Sequence, residues 1–425
     1  MNLAWTLVLA LIYFLFLFPF QVPGLPVGSV MPIIVFFAFC SIYAFKKKTF
    51  KKKDLKTTKM VGKYWWWNVF LIVYVWLVLQ IFGKGDGNTP FNGYTQMLII
   101  LPLFYISGNM FFRNTEDLMR ILYLTAIAQS IIIFAAVFSP VLQALLFILI
   151  PEGSYNTEYF GGMDMIIRSG YHIGLGAFTS AGSLRMAIGQ VGACYFLIKS
   201  RGHSLFMHLV IFLLIAVATS IVARTGLIVS ALGLMSVYYA KRKQGDKRII
   251  GFVVLFFVVI SVGFIFITNV FSDVFLGDTF KRLIDTADEG LYDTYFRGYT
   301  GEGGNNTIPP ISLETLIGLG ITYGVSGSGI VTITDGGFMR NYSAMGLIVA
   351  IVNYFLLFSI FIKQYKACKS FDNKGLIIYM FLVLLVGEFK EYYIYYVAPI
   401  CFMFLILNTI EKDERNMNFR IITQR

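Results

Sequence analysis

One arginine, Arg224, interrupts the stretch "TSIVARTGLIVSALG" (219–233), and no other Lys, Arg, Asp or Glu occurs between Leu205 and Ala240. A charge at the centre of a bilayer costs roughly 2.5–3.5 kcal/mol. A charge in so apolar a run either escapes the centre or has a use there. Arg185, within "AGSLRMAIGQ" (181–190), poses the same question. A third group lies in "VGEFKEYYIYYVAP" (386–399), where Glu388, Lys390 and Glu391 stand beside four tyrosines, Tyr392 the first of them. Glu388 and Glu391 are three residues apart and share one helix face. Arg282, Arg297, Asp335 and Arg340 fall in a long polar segment, 271–342.

Arginine offers a planar fork of donors that matches phosphate oxygens. A carboxylate near such arginines can accept a proton or bind sugar hydroxyls. Tyrosine and glycine suit stacking on a carbohydrate and close approach to it. Together these types describe a site for an anionic, membrane-borne substrate carrying a polar chain, such as a lipid pyrophosphate bearing an oligosaccharide. A transporter of anions would carry a similar set, so both readings stand on residue types alone.

The chain that must position these groups has 425 residues, 57% hydrophobic and 14% charged. A soluble protein carries nearer about a quarter charged residues. Apolar runs long enough to span recur near 3–20, 28–45, 64–83, 94–112, 119–138, 177–198, 205–221, 225–240, 249–270, 343–363, 375–391 and 393–410. The expected fold is therefore an all-α polytopic membrane protein with about 12 transmembrane helices. The run 205–240, as one helix, would be about 54 Å long against a hydrocarbon core of about 30 Å. It must fold into two crossings with Arg224 at a tight hairpin between them.

The net charge of +12 is not a nucleic-acid signal, because the basic residues follow topology. Of the 35 lysines and arginines, 26 fall in one alternating set of connections, including the basic loop 46–63, and seven in the other. The positive-inside rule then puts both termini in the cytoplasm. The amino-terminal run lacks a basic flank and is read as the first span, not as a cleaved signal. Two connections on the outer side are long: 139–176, with a ten-residue apolar piece suited to an interfacial or re-entrant helix, and 271–342, expected to be ordered. The division expected is 1–270 (nine helices), 271–342 (large outer loop before the tenth span), 343–410 (three helices) and a cytoplasmic tail, 411–425.

Cys40, Cys194, Cys368 and Cys401 are scattered, and His172, His203 and His208 lack metal-ligand spacing, so no metal site is expected. "GVSGSG" (324–329) has no following lysine, which excludes a nucleotide phosphate loop.

Over roughly 180–400 the sequence resembles the O-antigen polymerase and O-antigen ligase superfamily. The resemblance rests on "VARTGLI" (222–228) before a basic loop, then Arg297 in "YFRGYTG", "LIGLGITYG" (316–324), "TDGGFMRNYSAMGLIVAIV" (334–352) and "GEFKEYY" (387–393). It implies a bacterial inner-membrane enzyme with a glycosyltransferase-C-like fold, joining lipid-linked repeat units at the outer face without a metal, nucleotide sugar or other cofactor. It implies Arg224 and Arg297 as a pyrophosphate clamp, Arg185, Arg282 and Arg340 as supporting cations, and Lys390, Glu391 and Tyr392 as substrate contacts. Asp335 or Glu388 would be the base. Asp335 stands where ligases often have histidine, which favours a polymerase. The implied partners are the lipid-linked donor and acceptor, the bilayer and a chain-length regulator. A flippase for the same unit is the alternative of another class; no internal repeat of the transporter kind is visible.

Overall fold

In the computed structural model the described residues are 2–20, 30–46, 55–112, 114–149, 174–175, 179–246, 251, 258, 311–332 and 336–423. Among them the chain is helical apart from short connections and one two-stranded hairpin. The helices are α1 (Leu3–Leu17), α2 (Val30–Lys46), α3 (Lys56–Phe82), α4 (Phe91–Phe111), α5 (Thr115–Phe138), α6 (Pro140–Ile148), α7 (Thr179–Lys199), α8 (His203–Val222), α9 (Arg224–Lys243), α10 (Leu313–Ile317), α11 (Gly337–Ala367), α12 (Phe371–Lys390) and α13 (Val397–Thr423). Strands β1 (Gly324–Val325) and β2 (Val331–Thr332) pair antiparallel. Five helices, α3, α5, α7, α8 and α11, are long and apolar enough to cross a membrane, and α1 and α2 are apolar but shorter. The protein is thus all-α and membrane-like. Of the expected spans, 249–270 lies outside the described residues apart from Gly251 and Val258.

Two element boundaries differ from the sequence reading. The basic segment 46–63 is not a loop throughout, because α3 begins at Lys56. The segment before the tenth span does not run as loop to 342, because α11 begins at Gly337. Within 139–176, α6 takes the place expected for a short interfacial helix, and 150–173 and 176–178 lie outside the described residues.

The chain divides into two compact units. The first comprises residues 1–39, 112–285 and 368–383. Its most buried span is α7. Small residues let it approach α5: Gly192 lies against the backbone of Met119 and Tyr123, and Gly189 against Ala126. Polar residues then pin the neighbours. The Gln190 amide donates to the Thr219 hydroxyl of α8 (2.9 Å) and the Ser230 hydroxyl of α9 (2.8 Å), and accepts from the Tyr379 hydroxyl (2.7 Å). The long apolar run breaks at one residue, Ala223, which is extended (φ −161°, ψ 154°). Gly226 packs against the Thr219 carbonyl, where a Cβ has no room. The break falls where the length argument placed it, with Arg224 as the first residue of α9.

The second unit comprises residues 40–111, 286–367 and 384–425. The α13 segment Ile400–Ile410 is wholly buried, and α3 and α4 pack against that helix. Helix α11 is interrupted at Gly346, whose φ of 77° and ψ of 163° suit glycine alone. An interruption leaves carbonyls without helical partners. Here the Ser343 and Ala344 carbonyls accept the amides of Leu319 (2.6 Å) and Gly320 (3.1 Å). The glycines of "LIGLGITYG" follow from this closeness: Gly318 (φ 116°) lies on the backbone of residues 344–346.

Candidate functional site

Parts of three segments singled out in the sequence, 316–324, 334–346 and 387–396, pack in series in the second unit: residues 318–320 lie on residues 343–346 of α11, and Gly337 of α11 lies against Glu388 and Glu391. The last two of these segments meet at Glu388, which is 0% exposed. Gly337, in the first turn of α11, lies against the Glu388 carboxylate and the Glu391 carbonyl, so closely that a Cβ there would collide with both. Each oxygen of Glu388 has a donor. The Ile394 amide donates to Oε1 (2.5 Å) and the Tyr354 hydroxyl donates to Oε2 (2.6 Å). The Asn341 amide donates in turn to the Tyr354 oxygen (2.6 Å). Phe338 closes one side, with its ring 4.7 Å from that of Tyr354 and 5.0 Å from that of Phe389. No lysine or arginine pairs with Glu388 among the described residues.

The tyrosines of "EYYIYY" do not form a belt at the apolar surface. Tyr393 and Tyr395 are buried, and the rings of Tyr94 and Tyr392 lie 4.7 and 4.6 Å from that of Tyr395. The hydroxyls of Tyr64, Tyr94, Tyr392 and Tyr395 are buried with them, and those of Tyr392 and Tyr395 lie near that of Tyr94. Four buried hydroxyls near a buried carboxylate make this an unusually polar part of a helical core.

Around this centre, Glu391 is half-buried and accepts from the Tyr396 hydroxyl (3.0 Å), and Lys390, also half-buried, ends α12. The Arg340 guanidinium lies 5.7 Å from the ring centroid of Tyr323, a cation–π distance. Tyr323 is fixed by its neighbours: its carbonyl accepts the Asn88 amide (2.7 Å), and the Thr322 amide reaches the Asn88 carbonyl (2.7 Å). The glycine-rich 324–329 forms a hairpin turn, with Gly327 against the Phe82 carbonyl and Gly85 against Val325 and Ser326. Its glycines thus have a packing role, in keeping with the absence of a phosphate-loop lysine.

Arg185 and Arg224 belong to the first unit. The Arg185 guanidinium donates to the Leu17 carbonyl (3.1 Å). Arg282, Arg297 and Asp335 lie outside the described residues. Among the described residues no group of His, Cys, Asp or Glu has the arrangement of a metal centre. The sequence reading passed over Asn341, Tyr354, Tyr64 and Tyr94. The available signal was weak: polar Asn353–Tyr354 inside an apolar span, and an asparagine one residue after Arg340. Comparison with protein-family models, with curated proteins and with solved structures gave no match.

Proposed function

We propose that the chain is a polymerase of surface polysaccharide, joining undecaprenyl-pyrophosphate-linked oligosaccharide repeat units at the outer face of a bacterial inner membrane. The observation that supports this reading best is that the start of α11 and 387–394 enclose one buried carboxylate, Glu388, while residues 318–320 pack on the same helix. These residues fall in three of the segments on which the resemblance to the polymerase superfamily rests, and the last is distant in sequence from the other two. In this reading the chain crosses the membrane twelve times with both termini cytoplasmic, as the charge distribution requires.

The chemistry follows from the leaving group. An acceptor hydroxyl oxygen attacks the anomeric carbon of the donor sugar. The bond from that carbon to the pyrophosphate oxygen breaks, its electron pair leaves with the lipid pyrophosphate, and the hydroxyl proton passes to a base. The sequence offers Asp335 and Glu388 as carboxylates for this step. Cations that neutralise the departing charge assist this step, and the resemblance assigns Arg224 and Arg297 as the clamp and Arg185, Arg282 and Arg340 in support. Lys390, Glu391, Tyr392 and the Arg340–Tyr323 pair border the glycan. A chain-length regulator would be a separate protein.

Reconstitution tests this. Purified protein in lipid vesicles receives a lipid-pyrophosphate oligosaccharide with no nucleotide sugar, and products are resolved by gel. A ladder of increasing repeat number is expected. Substrate moved to the opposite leaflet without a ladder would make the chain a flippase, and transfer of a finished glycan to a different acceptor would make it a ligase.

A further inference from the structure

We infer that Glu388 is a positioning residue of the proposed transfer and not its proton acceptor, an inference that rests on the polymerase reading. A base must touch the hydroxyl it deprotonates. Glu388 is 0% exposed, and both its oxygens are already engaged, by the Ile394 amide and the Tyr354 hydroxyl. Gly337 lies so close on one side that even one added carbon there would strike the carboxylate. With no exposed surface at Glu388, an acceptor hydroxyl cannot touch it unless one of these groups is displaced.

The carboxylate instead connects chain segments. Ile394 belongs to the turn between α12 and α13. Tyr354 lies in α11 after the interruption at Gly346, and Asn341 lies before it. The chain Asn341–Tyr354–Glu388 therefore bridges the two pieces of α11 and ties both to the end of α12. This holds Arg340, next to Asn341, and Glu391, three residues past Glu388, at fixed places. Those two side chains are half-buried and not fully enclosed. Among the described residues, Tyr64 of α3 and Tyr392 also lie within electrostatic range of Glu388.

The same hydrogen-bond chain accepts a glutamine. Oε1 of a glutamine at 388 can take the Ile394 amide, and its amide nitrogen can donate to the Tyr354 oxygen. The Asn341 amide then flips, so that its side-chain oxygen, buried and unpartnered among the described residues in the present arrangement, accepts from the Tyr354 hydroxyl. Glutamine thus keeps the connections and cannot take up a proton, which separates the two roles.

The experiment compares Glu388→Gln, Glu388→Ala and Tyr354→Phe in the reconstituted ladder assay, with thermal unfolding of each purified protein. Glu388→Gln is expected to unfold near the wild-type temperature and to lose only about two- to fivefold in rate, with the pH–rate profile unshifted. Glu388→Ala is expected to unfold several degrees lower and to lose more. A folded Glu388→Gln protein slowed by about 10²-fold or more, the usual contribution of a general base, or one with a displaced acidic limb, overturns the inference. If Glu388→Gln does not fold, Tyr354→Phe decides: positioning requires a slower rate with an unshifted profile, whereas a wild-type rate overturns it. If the wild-type protein yields no ladder, the polymerase reading has failed. The thermal comparison then stands alone, and Glu388→Ala unfolding at the wild-type temperature would overturn the connecting role as well.

Discussion

The Glu411 side chain caps a helix that begins at Lys56, and Thr57 completes the cap. One carboxylate oxygen accepts the Lys56 amide (2.9 Å), and the other accepts both the amide (2.8 Å) and the hydroxyl (2.6 Å) of Thr57. The first amides of a helix have no partners within it, and here a carboxylate more than 350 residues away supplies them. Arg415 pairs with the same carboxylate at 2.7 Å. Burial alone would raise the Glu411 carboxyl above its usual range. The Thr57 hydroxyl, the Thr57 and Lys56 amides and the Arg415 charge outweigh burial and hold it below that range.

The sign of the pH dependence follows. The folded state prefers ionised Glu411 more strongly than the unfolded chain does. Its contribution is full above the unfolded value, about 4.3, and is lost as pH falls through the lower folded value. Glu411→Ala is expected to cost about 1–3 kcal/mol at neutral pH, from amides left buried and unpaired. The deficit should close as pH falls below about 4. Thermal unfolding of both proteins between neutral and acid pH checks this, and a deficit independent of pH would count against the cap.

Gly346→Ala is expected to be among the more damaging single-methyl additions in the second unit. The new side chain meets the Leu316 carbonyl and the Ile317 backbone, and it forces a non-glycine residue into a positive-φ conformation. Such strain costs of order 1–3 kcal/mol. Gly251→Ala, at an exposed glycine with open space around it, is the matched control. Unfolding temperatures should separate the two variants clearly.

How far the sequence foretold this arrangement depends on the range of the cause. The break at Ala223 was legible because a length limit acts locally: one helix of that length does not fit a bilayer. The helical character and the membrane setting were legible for the same reason. The role of Glu388 was not. Its acidity and its neighbour Glu391 were visible, but its enclosure depends on Gly337, Tyr354 and Ile394, which only folding brings to it. The same holds for Glu411, which reads as one more charge in a polar tail and instead completes α3. Tyr392 and its neighbours look like an interfacial belt from composition, yet Gly93 packs against Tyr395 and Gly387 against Tyr393. Those glycines, small residues facing large ones, were the available clue.

Gln190→Leu is expected to loosen the first unit without abolishing its fold. Leucine keeps the volume but strips partners from Thr219, Ser230 and Tyr379. Thr219 and Ser230 retain bonds to the carbonyls of Ile215 and Gly226, which limits the loss. Interhelical hydrogen bonds in membranes contribute about 0.6–2 kcal/mol, and a destabilisation in that range is the expectation. Hydrogen exchange of α8 and α9 should rise in step; unchanged exchange in both helices would show that packing alone holds them.

Arg224→Ala and Arg297→Ala are expected to abolish chain extension while leaving membrane insertion intact. Arg224→Lys separates the reasons. Lysine keeps the charge but lacks the planar fork that engages two phosphate oxygens at once. If Arg224 only caps the apolar surface at the α8–α9 turn, lysine should serve as well as arginine, because either stem reaches the interface. If it holds a pyrophosphate, lysine should lower the rate by a factor of about 10 or more, the cost of losing one charge-assisted hydrogen bond of about 1.5–3 kcal/mol. The ladder assay with these variants, at matched amounts in the membrane, decides between the two. Full activity in both alanine variants would remove the clamp from the proposed mechanism.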